Sequence, residues 1–109
     1  MTYKVKTISV FEKQAKKLIK KYPSLKEELL ELVKELKINP HLGIPLGKNC
    51  FKIRIAISSK GKGKSGGGRI ITNFLFEGNT VFLLSIYDKS EQENISEKEL
   101  ETLLQFISL

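Results

Sequence analysis

The stretch that decides the fold is residues 51–87, FKIRIAISSKGKGKSGGGRIITNFLFEGNTVFLLSIY. Its first eight residues alternate apolar and polar side chains, which predicts a strand with Lys52 and Arg54 on one face. Residues 69–77 and 80–87 are apolar at nearly every position, which predicts two central strands joined by a tight turn at Gly78-Asn79. Three consecutive strands of this kind predict an antiparallel meander.

The connection between the first two of these strands is unusually basic and rich in glycine. It reads SSKGKGKSGGG, so that Lys60, Lys62 and Lys64 are separated only by Gly and Ser. Residues 52–69 hold six cationic side chains and no acidic one, and Arg69 ends the run. Because glycine lets a backbone approach a bulky ligand and like charges repel, this pattern predicts an anion among the lysines. We expect the three loop lysines to contact RNA.

The remaining residues surround this stretch with a strand and three helices. Residues 2–8 alternate as a short strand, and residues 9–22 and 24–38 show helical spacing with breaks at Pro23 and Pro40. Residues 41–49 are predicted to be a loop and residues 96–107 a last helix. Ser9, Ser24 and Ser96 each precede a glutamate by three residues, which predicts three capping boxes.

The predicted order is therefore β-α-α-β-β-β-α, an α+β fold. An antiparallel sheet carries the helical hairpin on one face. The 109 residues are predicted to form a single domain, residues 1–109.

Composition excludes several classes of function. The net charge is +7, which favours nucleic acid or acidic proteins as partners. The sequence contains neither an apolar run of membrane length nor a signal-peptide core, so we expect a cytoplasmic protein without a membrane partner. One cysteine and one histidine, Cys50 and His41, exclude an internal disulfide, a cysteine-cluster zinc site and a histidine-pair ribonuclease. We expect no metal and no small-molecule cofactor.

Gly61, Gly63 and Gly66 form a literal G-x-G-x-x-G, the pattern of dinucleotide-binding loops. That function requires a helix to begin directly after the glycines, so that its N-terminus meets the pyrophosphate. Here a strand is predicted instead, and the dinucleotide interpretation is rejected.

Three segments in order resemble the RelE/HigB group of bacterial type II toxins, in the RelE/ParE superfamily. They are the K-x-R-x-A strand from Lys52, the loop with GKSGG and an arginine, and Y-x-K-x-E from Tyr87. The resemblance covers nearly the whole chain. It implies a fold similar to that of small microbial ribonucleases, a cognate antitoxin as partner, and cleavage of mRNA on the ribosome. The implied chemistry is attack of a ribose 2′-hydroxyl on the adjacent phosphate.

The resemblance also implies five catalytic residues: Lys52, Arg54, Arg69, Tyr87 and Lys89. Arg54 and Arg69 would stabilise the charge of the pentacoordinate phosphorus. Lys52 or Lys89 would transfer protons, and Tyr87 would stack on a base or act as a base. Two alternatives remain open: a ParE-like inhibitor of DNA gyrase, and an RNA- or ribosome-binding module without catalysis.

Overall fold

The structure, a computed structural model, describes residues 2–61, 63 and 66–107. The elements in chain order are β1 (Lys4–Thr7), α1 (Ser9–Lys21), α2 (Leu25–Ile38), β2 (Ile44–Gly47), β3 (Cys50–Ile55), β4 (Gly68–Leu75), β5 (Thr80–Asp88) and α3 (Glu97–Leu104). Short 3-10 turns cover Ser58–Lys60 and Phe76–Gly78. The predicted α+β fold and its order of elements are confirmed, with one strand added.

The five strands form one sheet in the order β1-β5-β4-β3-β2. The pairs β2–β3, β3–β4 and β4–β5 are antiparallel, whereas β1 runs parallel to β5. The sheet is therefore mixed rather than wholly antiparallel as predicted. The strands β1 and β5 are far apart in sequence, so no short turn forces them to be antiparallel.

The extra strand β2 lies in the segment predicted to be a loop. Its sequence, IPLG, contains a proline, which a strand tolerates at a sheet edge because no ladder bond is lost there. Gly43 leads into β2 with φ +105°, and a Cβ atom on it would lie 2.6 Å from the carbonyl oxygen of Lys52. Glycine at this position therefore lets the edge strand dock.

The helices pack through the apolar stripes that the spacing predicts. The first helix buries Phe11 and Ala15 and the second buries Leu25, Leu32 and Leu36, while the lysines of α1 stay exposed. Every residue of β5 is buried, which confirms that it is a central strand. Among the described residues, no helix is both long and apolar enough to cross a membrane.

Only one of the three predicted capping boxes forms. Ser96 accepts from the backbone N–H of Glu99, whose carboxylate accepts in return, at the start of α3. At α1, Ser9 is already inside the helix and Glu12 accepts from Thr7 instead. At α2, Ser24 donates to Glu28 one turn later and makes no cap bond. Competing side-chain partners therefore replaced the two other boxes.

Candidate active site

Three of the predicted site residues lie in one row across the sheet. Arg54 on β3 is directly opposite Arg69 on β4, and Arg69 is directly opposite Tyr87 on β5. Cross-strand partners project from the same face of a sheet, with Cβ atoms about 5 Å apart. The register thus brings together the three residues that the sequence predicted to converge.

Arg69 is the buried centre of this row. Arg69 is only 3% exposed, and its Nη1 donates to the carbonyl oxygen of Gly68 at 3.0 Å. Burial and the adjacent charge of Arg54 lower the pKa of the Arg69 guanidinium, while Tyr87 acts in the opposite direction. An arginine nevertheless keeps its charge at neutral pH. The row therefore presents two positive charges side by side, one exposed and one buried.

Tyr87 completes the row with a hydroxyl that has no hydrogen-bond partner among the described residues. The residue is 7% exposed, and burial raises the pKa of its phenol. Arg69 counteracts this shift, and Glu99 in the first turn of α3 reinforces it. A phenol with a raised pKa is neutral at pH 7, so Tyr87 is suited to donate a proton or hydrogen bond rather than to act as a base.

The two predicted lysines flank the row. Lys52 lies two residues before Arg54 on the same face of β3, and its Nζ donates to Asn94 Oδ1 at 3.1 Å. Lys89 directly follows β5, and its backbone N–H donates to the carbonyl oxygen of Gly67 at 3.1 Å. Both side chains are partly buried. Arg54, Arg69 and Tyr87 therefore form the row itself, Lys52 lies two residues from it along β3, and the backbone of Lys89 lies beside Gly67.

Of the three loop lysines, the structure describes Lys60. Lys60 is 6% exposed in its side chain, and its Nζ lies 2.5 Å from Oδ1 of the fully buried Asp88. This placement argues against the predicted RNA contact of Lys60. Lys62 and Lys64 lie outside the described residues, and their contact with RNA stays a prediction.

Sequence reasoning missed Asp88. Strand alternation turns Asp88 to the side opposite Tyr87, where it also accepts from the hydroxyl of Tyr22 at 2.8 Å. Burial by itself raises the pKa of this carboxyl, but hydrogen bonds from Lys60, Ser90 and Tyr22 outweigh it and hold the pKa well below its usual range. The only signal in the sequence was an acid at the end of an otherwise apolar strand.

The return of the loop into β4 depends on close packing. A Cβ atom on Gly67 would lie 2.1 Å from the carbonyl oxygen of Ile55, so any side chain there would push β3 and β4 apart. Gly68 pairs with Ile55 and comes directly before Arg69. The last glycines of the loop are therefore what allow Arg69 to lie opposite Arg54.

The row can bind an oxyanion. Two guanidinium groups offer forked donors that match the nonbridging oxygens of a phosphate, and a neutral phenol adds a third donor beside them. A fixed arrangement of donors stabilises charge that develops on a phosphate during its reaction. This chemistry suits a phosphodiester better than an uncharged substrate.

A family model described as the RelE toxin of the RelE/RelB toxin–antitoxin system matches residues 3–108, which include every strand and helix named above. The chain belongs to the RelE toxin family. Its membership confirms the resemblance noted in the sequence and makes the chain a toxin of a toxin–antitoxin system.

Solved structures of RelE proteins share the fold. A free-state arginine-to-alanine double mutant of the Escherichia coli toxin RelE is 18% identical, with a TM-score of 0.66, covering 99% of this chain and 100% of that one. The RelBE2 toxin–antitoxin complex of Mycobacterium tuberculosis gives 20% identity and a TM-score of 0.62, covering 81% and 92%. The intact E. coli RelBE toxin–antitoxin complex gives 21% identity and a TM-score of 0.62, covering 79% of this chain and 95% of that one.

Proposed function

We propose that this RelE-family toxin is an endoribonuclease that cuts mRNA on the ribosome and thereby inhibits translation. The observation that supports the proposal is the cross-strand row of Arg54, Arg69 and Tyr87. Like charges directly opposite each other on a sheet are destabilising, so an anion bound at such a row would offset their repulsion. A single-stranded RNA provides that anion, together with a 2′-hydroxyl next to each phosphate.

The proposed reaction is an internal transesterification. The 2′-oxygen attacks the adjacent phosphorus, and a 2′,3′-cyclic phosphate forms as the bond from phosphorus to the 5′-oxygen breaks. Arg54 and Arg69 stabilise the added charge of the pentacoordinate phosphorus. Lys52 or Lys89 transfers the proton away from the 2′-hydroxyl. Tyr87 gives its proton to the departing 5′-oxygen, which suits a buried neutral phenol.

The glycine-rich loop contributes binding in this proposal. Lys62 and Lys64 would neutralise phosphates on either side of the scissile one, releasing counterions and making the affinity depend on salt. Lys60 is assigned no phosphate because Asp88 already holds its ammonium group. In this proposal Lys60 holds the loop in place, and Lys62 and Lys64 bind the RNA.

The direct test is cleavage of a defined mRNA on translating ribosomes by the purified toxin, with primer extension to map the cut. We expect a 2′,3′-cyclic or 3′-phosphate end and a free 5′-hydroxyl on the downstream fragment. Ribosome binding without a cut would support the non-catalytic binding module. Inhibition of gyrase supercoiling without a cut would support a ParE-like toxin.

We also propose a cognate antitoxin as partner. Family membership supports it, and two of the similar structures are toxin–antitoxin complexes in their own right. A segment that silences the basic row needs acidic side chains over Arg54. Hydrogen exchange of the toxin with and without the product of the adjacent small gene tests this. Protection at residues 52–54, 69 and 87–89 is expected, and an unchanged pattern there would point to inhibition from a distance.

A further inference from the structure

We propose that Asp88 is a positioning residue for RNA cleavage, because Asp88 and Lys89 together hold both ends of the glycine-rich loop beside Tyr87. The inference rests on the proposed endoribonuclease function. It assigns a role to a buried acid that does not itself touch the RNA.

The first end of the loop is fixed at Lys60. The 3-10 turn Ser58–Lys60 is tied to the start of α2, where Glu28 Oε2 accepts from the backbone N–H and hydroxyl of Ser58 at 2.8 and 2.7 Å. Lys60 then crosses to Asp88, and the two buried side chains form an ion pair. Directly afterwards Gly61 takes the left-handed conformation, with φ +73°. Lys60 is therefore the last side chain anchored before the basic part of the loop begins.

The second end of the loop is fixed at Gly67. Its backbone packs against the carbonyl oxygen of Ile55, and its own carbonyl accepts from the N–H of Lys89. The two ends of the loop thus attach to consecutive residues, one to the side chain of Asp88 and the other to the backbone of Lys89.

Asp88 also shapes the turn that carries Lys89. Its Oδ1 accepts from the backbone N–H and the hydroxyl of Ser90 at 2.9 and 2.8 Å, in addition to Lys60. Its carbonyl oxygen accepts from the N–H groups of Glu91 and Gln92. One residue therefore determines where the loop begins and where the backbone of Lys89 lies, and its sequence neighbour Tyr87 projects into the candidate active site.

The two carboxylate oxygens offer an internal control. Oδ1 holds the loop and the turn, whereas Oδ2 accepts from the hydroxyl of Tyr22 at the end of α1. Tyr22→Phe removes the link to the helix and leaves the link to the loop intact. A second control is the exposed ion pair between Lys21 and Glu91, in the same region but outside the loop attachment.

The experiment measures single-turnover cleavage of mRNA on ribosomes at increasing toxin concentration. In Asp88→Asn we expect the plateau rate to fall by about 10- to 100-fold, as for reacting groups misplaced by about 1 Å. The half-saturating concentration should change less than about twofold. In Lys60→Met the plateau rate should fall by a similar factor. In the double variant Lys60→Met/Asp88→Asn it should fall no further than in the worse single variant, because both changes remove the same link between Lys60 and Asp88. Tyr22→Phe and Glu91→Gln should cleave as the unaltered toxin does.

The double variant keeps the test valid if a single change prevents folding, because it leaves no unpaired buried charge. Hydrogen exchange on it should show faster exchange at the Lys89 amide and no change at Ile71 in the middle of β4. A plateau rate equal to that of the unaltered toxin overturns the inference. An equal loss of plateau rate in Tyr22→Phe would also overturn the inference, because it would show that Asp88 acts only by joining α1 to the sheet. If the unaltered toxin itself does not cleave, the proposed function fails and the role of Asp88 in it fails as well.

Discussion

Arg54 and Arg69 are direct cross-strand partners on β3 and β4, one exposed and one buried, so two positively charged side chains project from neighbouring positions on the same face of the sheet. Like charges that face each other destabilise a sheet, whereas a phosphate bound between them would accept hydrogen bonds from both guanidinium groups.

Arg69→Ala should reduce the cleavage rate on ribosomes by about 10²-fold or more, as when one donor to a developing oxyanion is removed. Lys17→Ala is the matched control, because Lys17 is an exposed cation on α1 far along the chain from the row. It should cleave at the unaltered rate. Cleavage by Arg69→Ala at that same rate would show that the reaction takes place elsewhere.

Arg54→Gln should cleave slowly and yet be no less stable than the unaltered toxin. Removing one of two opposed charges relieves repulsion, so the free energy of unfolding at low salt should stay level or rise by about 0.5 kcal/mol. Urea unfolding at low and high ionic strength checks this, and the gain should shrink as salt screens the charges. A clear loss of stability would show that Arg54 is held by favourable contacts.

Tyr87→Phe should keep or raise stability while reducing cleavage. Its hydroxyl is buried without a partner among the described residues, so its removal should leave the free energy of unfolding level or raise it by about 1 kcal/mol. Thr72→Val is the matched control. Thr72 Oγ1 is also buried without a hydrogen-bond partner among the described residues, but Thr72 lies outside the row. That variant should gain similar stability and lose no activity. Equal activity of both variants would remove Tyr87 from the mechanism.

The loop lysines should divide into two groups. Lys60→Met leaves Asp88 buried without its cation and should destabilise the toxin by about 3 kcal/mol or more. Lys62→Ser/Lys64→Ser should leave the melting temperature almost unchanged and reduce the salt slope of ribosome binding by up to about two units. Thermal unfolding and binding at several salt concentrations measure both. A stable Lys60→Met variant with weakened RNA binding would return Lys60 to the RNA-binding group.

Asp88→Asn should change how stability depends on pH. The pKa of Asp88 is held below its ordinary value near 4, so its ionised form stabilises the fold above about pH 4. That contribution is lost as pH falls through the lower folded-state pKa. The stability difference between the unaltered toxin and Asp88→Asn should therefore be largest above about pH 5 and shrink below about pH 4. A difference independent of pH would show that the carboxylate charge is not what matters.

The sequence by itself predicted all the helices and four of the five strands, and it predicted which strands carry Arg54, Arg69 and Tyr87. Alternation at residues 51–57 set one apolar face and one cationic face of β3, and helical spacing set the stripes of α1 and α2. These signals are local, because each depends only on side chains that are a few residues apart in the sequence. The convergence of Arg54, Arg69 and Tyr87 also followed, because in consecutive antiparallel strands the end of one strand lies beside the start of the next.

Only the tertiary structure decided the parallel direction of β1, the extra strand β2 and the burial of Lys60 against Asp88. For β1 and for Lys60 the decisive partner is distant in sequence: β5 for β1 and residue 88 for residue 60. The extra strand β2 instead pairs with its sequence neighbour β3, across a turn of two residues. A lysine in a glycine-rich loop has the same local pattern whether it meets solvent or a buried carboxylate. The difference is the free energy of removing two charges from water together, and that energy exists only once the chain has folded.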